Sequence, residues 1–203
     1  MIRQHTLFWG SAYDRGLDIL LEMWVKVKEK FPDAELHIAY GWYVFNICNR
    51  NDPKKMSWKQ HVEKLMEQPG IIHHGRVGQN ELKDIRELCG IWSYPTTFRE
   101  TFCITALEVQ ASGVVPCVMD IGALRETCKS GTIISGNIYD KAIQEKYLKA
   151  LFNLMSNEET WKTEQKKGIV FAQKMSWANV AKQWEDEFNK DMSLRGTDIR
   201  LPC

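Results

Sequence analysis

The chain has 203 residues, of which 44% are hydrophobic and 26% charged, the balance of a globular protein with a substantial core. Its 27 basic and 26 acidic side chains leave a net charge of +1, which removes the general electrostatic case for a nucleic-acid or membrane-surface protein. No apolar run approaches the roughly 18 residues that span a bilayer, and Met1-Ile2-Arg3-Gln4-His5 lacks the apolar core of a signal peptide, so the chain reads as cytoplasmic with no integral membrane segment.

Taken in order, Thr6 to Trp9 predicts a strand ending at Gly10-Ser11. Leu17, Leu20, Leu21, Trp24, Val27 and Phe31 then repeat at three- and four-residue spacing, a helix that Pro32 stops. Leu36 to Tyr40 predicts a second strand, closed by Gly41, and Trp42 to Lys55, which includes Pro53, reads as an irregular surface excursion. Trp58, Val62, Leu65 and Met66 mark a helix, and Gln68-Pro69-Gly70 turns the chain into a strand from Ile71 to His74. After the loop Gly75 to Gly78, Asn80 is placed to cap a helix through Leu82, Ile85 and Leu88. Ile91 to Tyr94 is a strand broken by Pro95, and a helix through Leu107 and Ala111 ends at Gly113. Pro116 to Met119 is a strand, Ala123 to Cys128 a short helix, and Thr132 to Ile134 the last strand. Lys141 to about Lys190 is helical, and Ser193 to Cys203 has no periodicity.

Strands alternating with helices predict a doubly wound parallel sheet, an α/β domain over residues 1–190 with extra C-terminal helices and a tail over 191–203. Ligands of such sheets bind beyond the carboxyl ends of the strands, so the loops at Gly10, Gly41, Gly75, Pro95 and Asp120 are where function is expected. The six scattered cysteines form no C-x-x-C pair and read as reduced thiols; neighbouring His73 and His74 on a strand point to opposite faces, so no metal site is expected. Gly-Ser-Ala-Tyr-Asp-Arg-Gly after the first strand lacks the G-x-G-x-x-G pattern of a dinucleotide oxidoreductase.

The most informative stretch runs from Tyr94 through Glu100-Thr101-Phe102-Cys103-Ile104-Thr105 to Glu108. It leads from a strand end into a helix start, whose free amides suit a diphosphate. Glu100 and Glu108 are eight positions apart, about 12 Å at helical rise. Two carboxylates acting on one glycosidic bond sit roughly 5 to 10 Å apart. The spacing instead fits acceptors for hydroxyls at opposite ends of a diphosphate-linked ligand, or, more plainly, a helix-start carboxylate and a solvated helix charge.

At this point the sequence resembles the donor-binding half of family-4 glycosyltransferases of the GT-B fold. Glu100 and Glu108 match the family's Glu, seven residues, Glu motif, followed by Ala111-Ser112-Gly113-Val114-Val115-Pro116 and the loop Asp120 to Glu126. Gly10 to Gly16, His74-Gly75-Arg76-Val77 and Ser176 to Val180 add matches in the same order. The resemblance implies that Glu100 accepts hydrogen bonds from the transferred sugar, Glu108 binds the ribose, and the amides of Phe102, Cys103 and Ile104 receive phosphate or sugar oxygens. Arg76 and Val77 would meet the base, with Leu82 packing on it.

Arg15 stands where the family has a phosphate-binding Lys; it keeps the charge but presents a planar fork. Ser11 stands where the family commonly has Arg, and Thr101 and Cys103 where it commonly has Gly. The resemblance further implies a retaining transfer from a nucleoside-diphosphate sugar, with no metal or other cofactor, and Glu100 and Arg15 as the catalytic pair. Only five residues precede the first strand, and the resemblance places the acceptor site and often a catalytic His on a preceding domain, so a second lobe or dimer mate is expected. Of the five histidines, His74 at a strand end is the least unsuited to substitute. Trp42 to Phe45 and the last helix, with Trp177 and Trp184, are the expected docking faces. The alternative is a non-catalytic module that binds a nucleotide sugar or a protein.

Overall fold

The computed structural model describes residues 3–195. Its six strands are β1 (Thr6–Trp9), β2 (Glu35–Ala39), β3 (Ile71–Gly75), β4 (Ile91–Tyr94), β5 (Val115–Met119) and β6 (Thr132–Ile134). They form one sheet in the order β3-β2-β1-β4-β5-β6, and every neighbouring pair is parallel. The switch point therefore falls between β1 and β4. β1, β4 and β5 are buried along their whole length, as expected of inner strands covered by helices on both faces.

The helices are α1 (Leu17–Lys30), α2 (Tyr43–Asn49), α3 (Pro53–Leu65), α4 (Gln79–Leu88), α5 (Ile104–Ala111), α6 (Leu124–Thr127), α7 (Lys141–Ser156), α8 (Glu158–Lys174) and α9 (Trp177–Arg195). Helix α1 buries its Leu17, Leu20, Leu21, Trp24 and Val27 stripe on the sheet, and the Trp24 indole donates to the Pro69 carbonyl (2.9 Å). Helix α7 buries Tyr147, whose hydroxyl donates to the Cys117 carbonyl of β5 (2.6 Å).

Residues 42–55, expected to be irregular, are instead mostly helical. Pro53 begins α3, where a missing N–H costs nothing, and the Asp52 carboxylate accepts from the amides of Lys54 and Lys55. Asn80 does not cap α4: Gly78 is the N-cap residue, with no side-chain cap bond, and Asn80 lies inside the first turn. The expected helical region after Lys141 is interrupted at Asn157, which caps α8 through the Thr160 amide, and at Met175-Ser176. Helix α9 continues to Arg195; the rest of the expected tail, Cys203 included, lies outside the described residues. The other five cysteines are free thiols, and burial pushes Cys89 and Cys117 up to about 12.

Of the eight tryptophans, Trp9, Trp24, Trp92 and Trp161 are buried, while Trp177 (83% exposed) and Trp184 stand out on α9 with Phe188. On α2, Tyr43, Val44 and Ile47 are exposed, whereas Trp42 and Phe45 are half-buried. Among the described residues no helix is long and apolar enough to cross a membrane, and no group of three or more His, Cys, Asp or Glu side chains is placed to hold a metal ion.

His73 and His74 point opposite ways, as strand neighbours must. His73 Nε2 meets the Tyr13 hydroxyl at 2.7 Å, and His74 Nε2 meets His37 Nδ1 at 3.0 Å. Burial lowers the pKa of His37 and His73; the Glu35 hydrogen bond opposes this at His37, the neighbouring His74 adds to the lowering at both, and Glu63 opposes it weakly at His73. Because the folded pKa values lie below the unfolded one, about 6.5, both rings contribute stability that is complete above that value and lost as pH falls below it. The melting temperature is expected to drop between pH 7.5 and 5.5, and to drop less in a His37→Gln, His73→Gln variant. Equal drops in the two proteins would refute the assignment.

Candidate functional site

The carboxyl edges of β1, β2, β3 and β4 open onto a cleft made of three adjoining chambers. The Trp9 indole donates to the Ser11 carbonyl (2.7 Å) and fixes the turn after β1. A short 3-10 turn (Tyr13–Arg15) then ends at Gly16, whose φ of +110° and approach to the Pro95 carbonyl admit no side chain. A Cβ there would lie 2.7 Å from that oxygen, and this close contact brings Arg15 up to the loop after β4.

The first chamber, about 280 Å³, is lined by Ser11, Arg15, Tyr94 and Glu100 and by Thr101 to Thr105 at the start of α5. Glu100 Oε1 accepts from Arg15 Nη1 (3.1 Å) and from the Tyr94 hydroxyl (2.8 Å), and its side chain is only 10% exposed. Ser11 Oγ lies 3.3 Å from the Tyr94 hydroxyl, and the Arg15 guanidinium stacks over the Phe98 ring at 3.9 Å. Burial opposes the Arg15 charge, but Glu100 and Tyr94 outweigh it and hold its pKa above the ordinary value; burial likewise raises the Tyr94 phenol. Among the described residues, the amides of Phe102, Cys103 and Ile104 have no backbone acceptor.

Cys103, the N-cap residue of α5, has φ +61° and is the sole described non-glycine residue in the left-handed region. Desolvation pushes its thiol up to about 12, so it is no nucleophile at neutral pH. A left-handed non-glycine residue costs roughly 1 to 3 kcal/mol. Cys103→Gly is therefore expected to be more stable than Cys103→Ala by about 1 kcal/mol, the comparison that holds the loss of the sulfur constant. Equal denaturation midpoints would show the strain to be absent.

The second chamber, about 430 Å³, is lined by Arg76, Val77, Leu82 and Glu108 together with Gly41 and Thr105. Glu108 Oε2 accepts from Arg86 Nη1 at 2.7 Å; the Arg86 side chain is 8% exposed and that of Glu108 38%. The structure thus brings all eleven expected residues, Ser11, Arg15, Arg76, Val77, Leu82, Glu100, Thr101, Phe102, Cys103, Ile104 and Glu108, to two joined chambers. The 12 Å estimate between the glutamates does not carry over, because α5 begins only at Ile104 and half of the stretch is not helical. His74 is not among the residues that line the chambers; it is engaged by His37.

Three participants went unforeseen: Tyr94, Phe98 and Arg86. Tyr94 and Phe98 flank the motif in sequence, and Arg86 sits on α4, where nothing marks a buried arginine until its partner is known. A fourth is Gly122 (φ +56°), on the loop after β5: a Cβ there would lie 2.3 Å from the Glu100 carbonyl oxygen, and the Ala123 amide donates to that same oxygen (2.9 Å). Gly122→Ala is expected to cost about 2 kcal/mol and to displace the Glu100 backbone. An unchanged urea midpoint would show that the two loops are not so closely fitted.

An open parallel sheet with a cleft at its switch point, bordered by a helix start and two arginines, defines a Rossmann-like α/β domain. The chain belongs to the family of glycosyl transferases group 1, whose profile matches residues 6–183, and its fold is that of a GT-B domain. It is 25% identical over 173 residues to the D-inositol 3-phosphate glycosyltransferase of Corynebacterium urealyticum, covering 83% of this chain and 38% of that protein. It is 28% identical over 132 residues to the mannosylfructose-phosphate synthase of Agrobacterium fabrum, covering 61% and 28%. The chain therefore spans well under half the length of these relatives. The same fold is found in the pneumococcal O-GlcNAc transferase GtfA in complex with UDP and GlcNAc (TM-score 0.70, 15% identity, 93% of this chain and 36% of that one). It also occurs in the sucrose-phosphate synthase of Thermosynechococcus elongatus (TM-score 0.68, 16% identity, 91% and 44%).

Proposed function

We propose that the cleft binds a nucleoside-diphosphate sugar and that this chain is the donor-binding part of a retaining glycosyltransferase, completed by a second lobe. The observation that carries the reading is the convergence of the eleven residues on two joined chambers of a domain from this family. In it, the base and ribose occupy the chamber of Arg76, Val77, Leu82 and Glu108. The diphosphate meets the start of α5 and Arg15, and the sugar lies against Glu100. As the bond to the sugar breaks, negative charge develops on the leaving diphosphate, where the α5 amides and Arg15 offset it. No Asp-x-Asp motif occurs in the sequence, and this charge stabilisation is assigned to protein groups rather than to a metal ion. The acceptor hydroxyl attacks from the face that the diphosphate leaves. The exposed Trp177, Trp184 and Phe188 of α9 are the face offered to the second lobe or a dimer mate.

A second reading, a module that binds a nucleotide sugar without turnover, is favoured by two observations. Ser11 removes one phosphate cation, and Arg15 is already neutralised by Glu100. The readings separate in an assay of donor hydrolysis and transfer with UDP-, GDP- and ADP-sugars, run with and without a candidate partner lobe. Turnover that depends on Glu100 and Arg15 supports the transferase; saturable binding with no turnover under either condition supports the module.

A further inference from the structure

Glu100 sits on the irregular stretch between β4 and α5, where no helix or sheet fixes its side chain. Its Oε1 oxygen takes both of its hydrogen bonds, from Arg15 and from Tyr94, and among the described residues Oε2 takes none. We infer that Tyr94 is a positioning residue: its hydroxyl holds Oε1 so that Oε2 is left for the sugar, and the preference for a nucleotide sugar over the bare nucleoside diphosphate depends on it. The inference rests on the donor reading and deepens it.

The two donors to Oε1 differ in how firmly they are held. Tyr94 ends β4 and is fully buried, its ring stacked on Trp92 (4.8 Å between centroids) and tilted against Trp9 (5.1 Å). Arg15 ends a short turn, and its side chain is 33% exposed. It also lines the third chamber of the cleft, about 300 Å³, beside Trp42, Asn49 and Phe98. In the donor reading Arg15 turns to the diphosphate. Glu100 then keeps one of its two donors, and that donor is Tyr94.

The direction of the hydrogen bonds favours the same role. A carboxylate only accepts, so the Tyr94 proton goes to Glu100. The buried hydroxyls of Ser11, at 3.3 Å, and of Thr96 then donate to the phenol oxygen. Thr96 Oγ1 in turn accepts from the Phe98 amide (2.9 Å), which ties the chain of bonds to the loop that carries Glu100. Burial keeps the phenol protonated well above neutral pH, so the donor is not lost in the working range. An uncharged phenol also offers a diphosphate no counter-charge, and nothing draws it from Glu100 when the ligand arrives.

The test is calorimetry of the purified chain and of Tyr94→Phe with UDP-glucose, GDP-mannose and ADP-glucose, and with UDP, GDP and ADP. The parent is expected to bind at least one sugar nucleotide more tightly than its diphosphate, and Tyr94→Phe to shrink that ratio of affinities at least about fivefold, the loss of one hydrogen bond. Phe fills the same space, and Arg15 still holds Glu100 in the unliganded variant, so the fold is retained. Ser11→Ala, which removes one support of the phenol, should shrink the ratio in the same direction by a smaller factor. Because Tyr94 acts through Glu100, the same substitution made in Glu100→Gln is expected to change the ratio by less than about twofold. Equal losses for sugar nucleotide and diphosphate in Tyr94→Phe overturn the inference, as does an undiminished effect of that substitution in the Glu100→Gln background. Either result leaves the donor reading standing. Failure of the parent chain to bind any of these ligands removes the donor reading, and this inference with it.

Discussion

Glu100→Gln is expected to weaken binding of a nucleoside-diphosphate sugar by about 10- to 100-fold, the loss of one or two hydrogen bonds to a charged acceptor, while leaving the sugar-free nucleoside diphosphate bound as well as before or better. The opposite signs follow from the pair that Glu100 makes. Its carboxylate holds Arg15 at 3.1 Å, and a diphosphate has to compete for that guanidinium. Gln keeps an oxygen for the Tyr94 hydroxyl, so the loop stays in place, but it no longer neutralises Arg15. Calorimetry on the variant with both ligands reads the two effects separately. Equal losses for both ligands would mean that Glu100 acts through structure rather than through the sugar.

Glu108→Ala is expected to do two things at once: to weaken nucleotide binding by roughly tenfold and to lower stability by about 1 to 2 kcal/mol. The second effect arises because Arg86 is buried and Glu108 is its partner; removing the carboxylate strands a charge that water does not reach. The figure is kept below that for a fully buried pair because the Glu108 side chain is 38% exposed. Combining Arg86→Met with Glu108→Gln removes the stranded charge as well as the partner. This double variant should regain most of the stability, by urea denaturation, without regaining nucleotide affinity. Recovery of both together would assign Glu108 a purely structural role.

These two carboxylates show how much of the site is legible in a sequence. Their spacing and the helix start between them are local properties, and local properties survive in the linear string. Their partners are not local: Arg15 is brought to Glu100 by the close approach of Gly16 to Pro95, and Arg86 reaches Glu108 from α4. Backbone fit between distant loops, such as Gly122 against Glu100, leaves no trace beyond a glycine. The strands were legible because short apolar runs end at Gly or Pro. Residues 42–52 were not, since α2 is only seven residues long and exposes Tyr43, Val44 and Ile47, leaving no amphipathic period to read. Likewise Asn80 has the right chemistry for a cap, but Gly78 already occupies that place in the turn.

Calorimetry of the purified chain against UDP-, GDP- and ADP-sugars tests the central claim most directly. One saturable site for at least one of these donors, lost in a folded Glu100→Gln, Glu108→Gln variant, is the predicted result. No binding to any of the three, or the same affinity in the variant as in the parent, would contradict it.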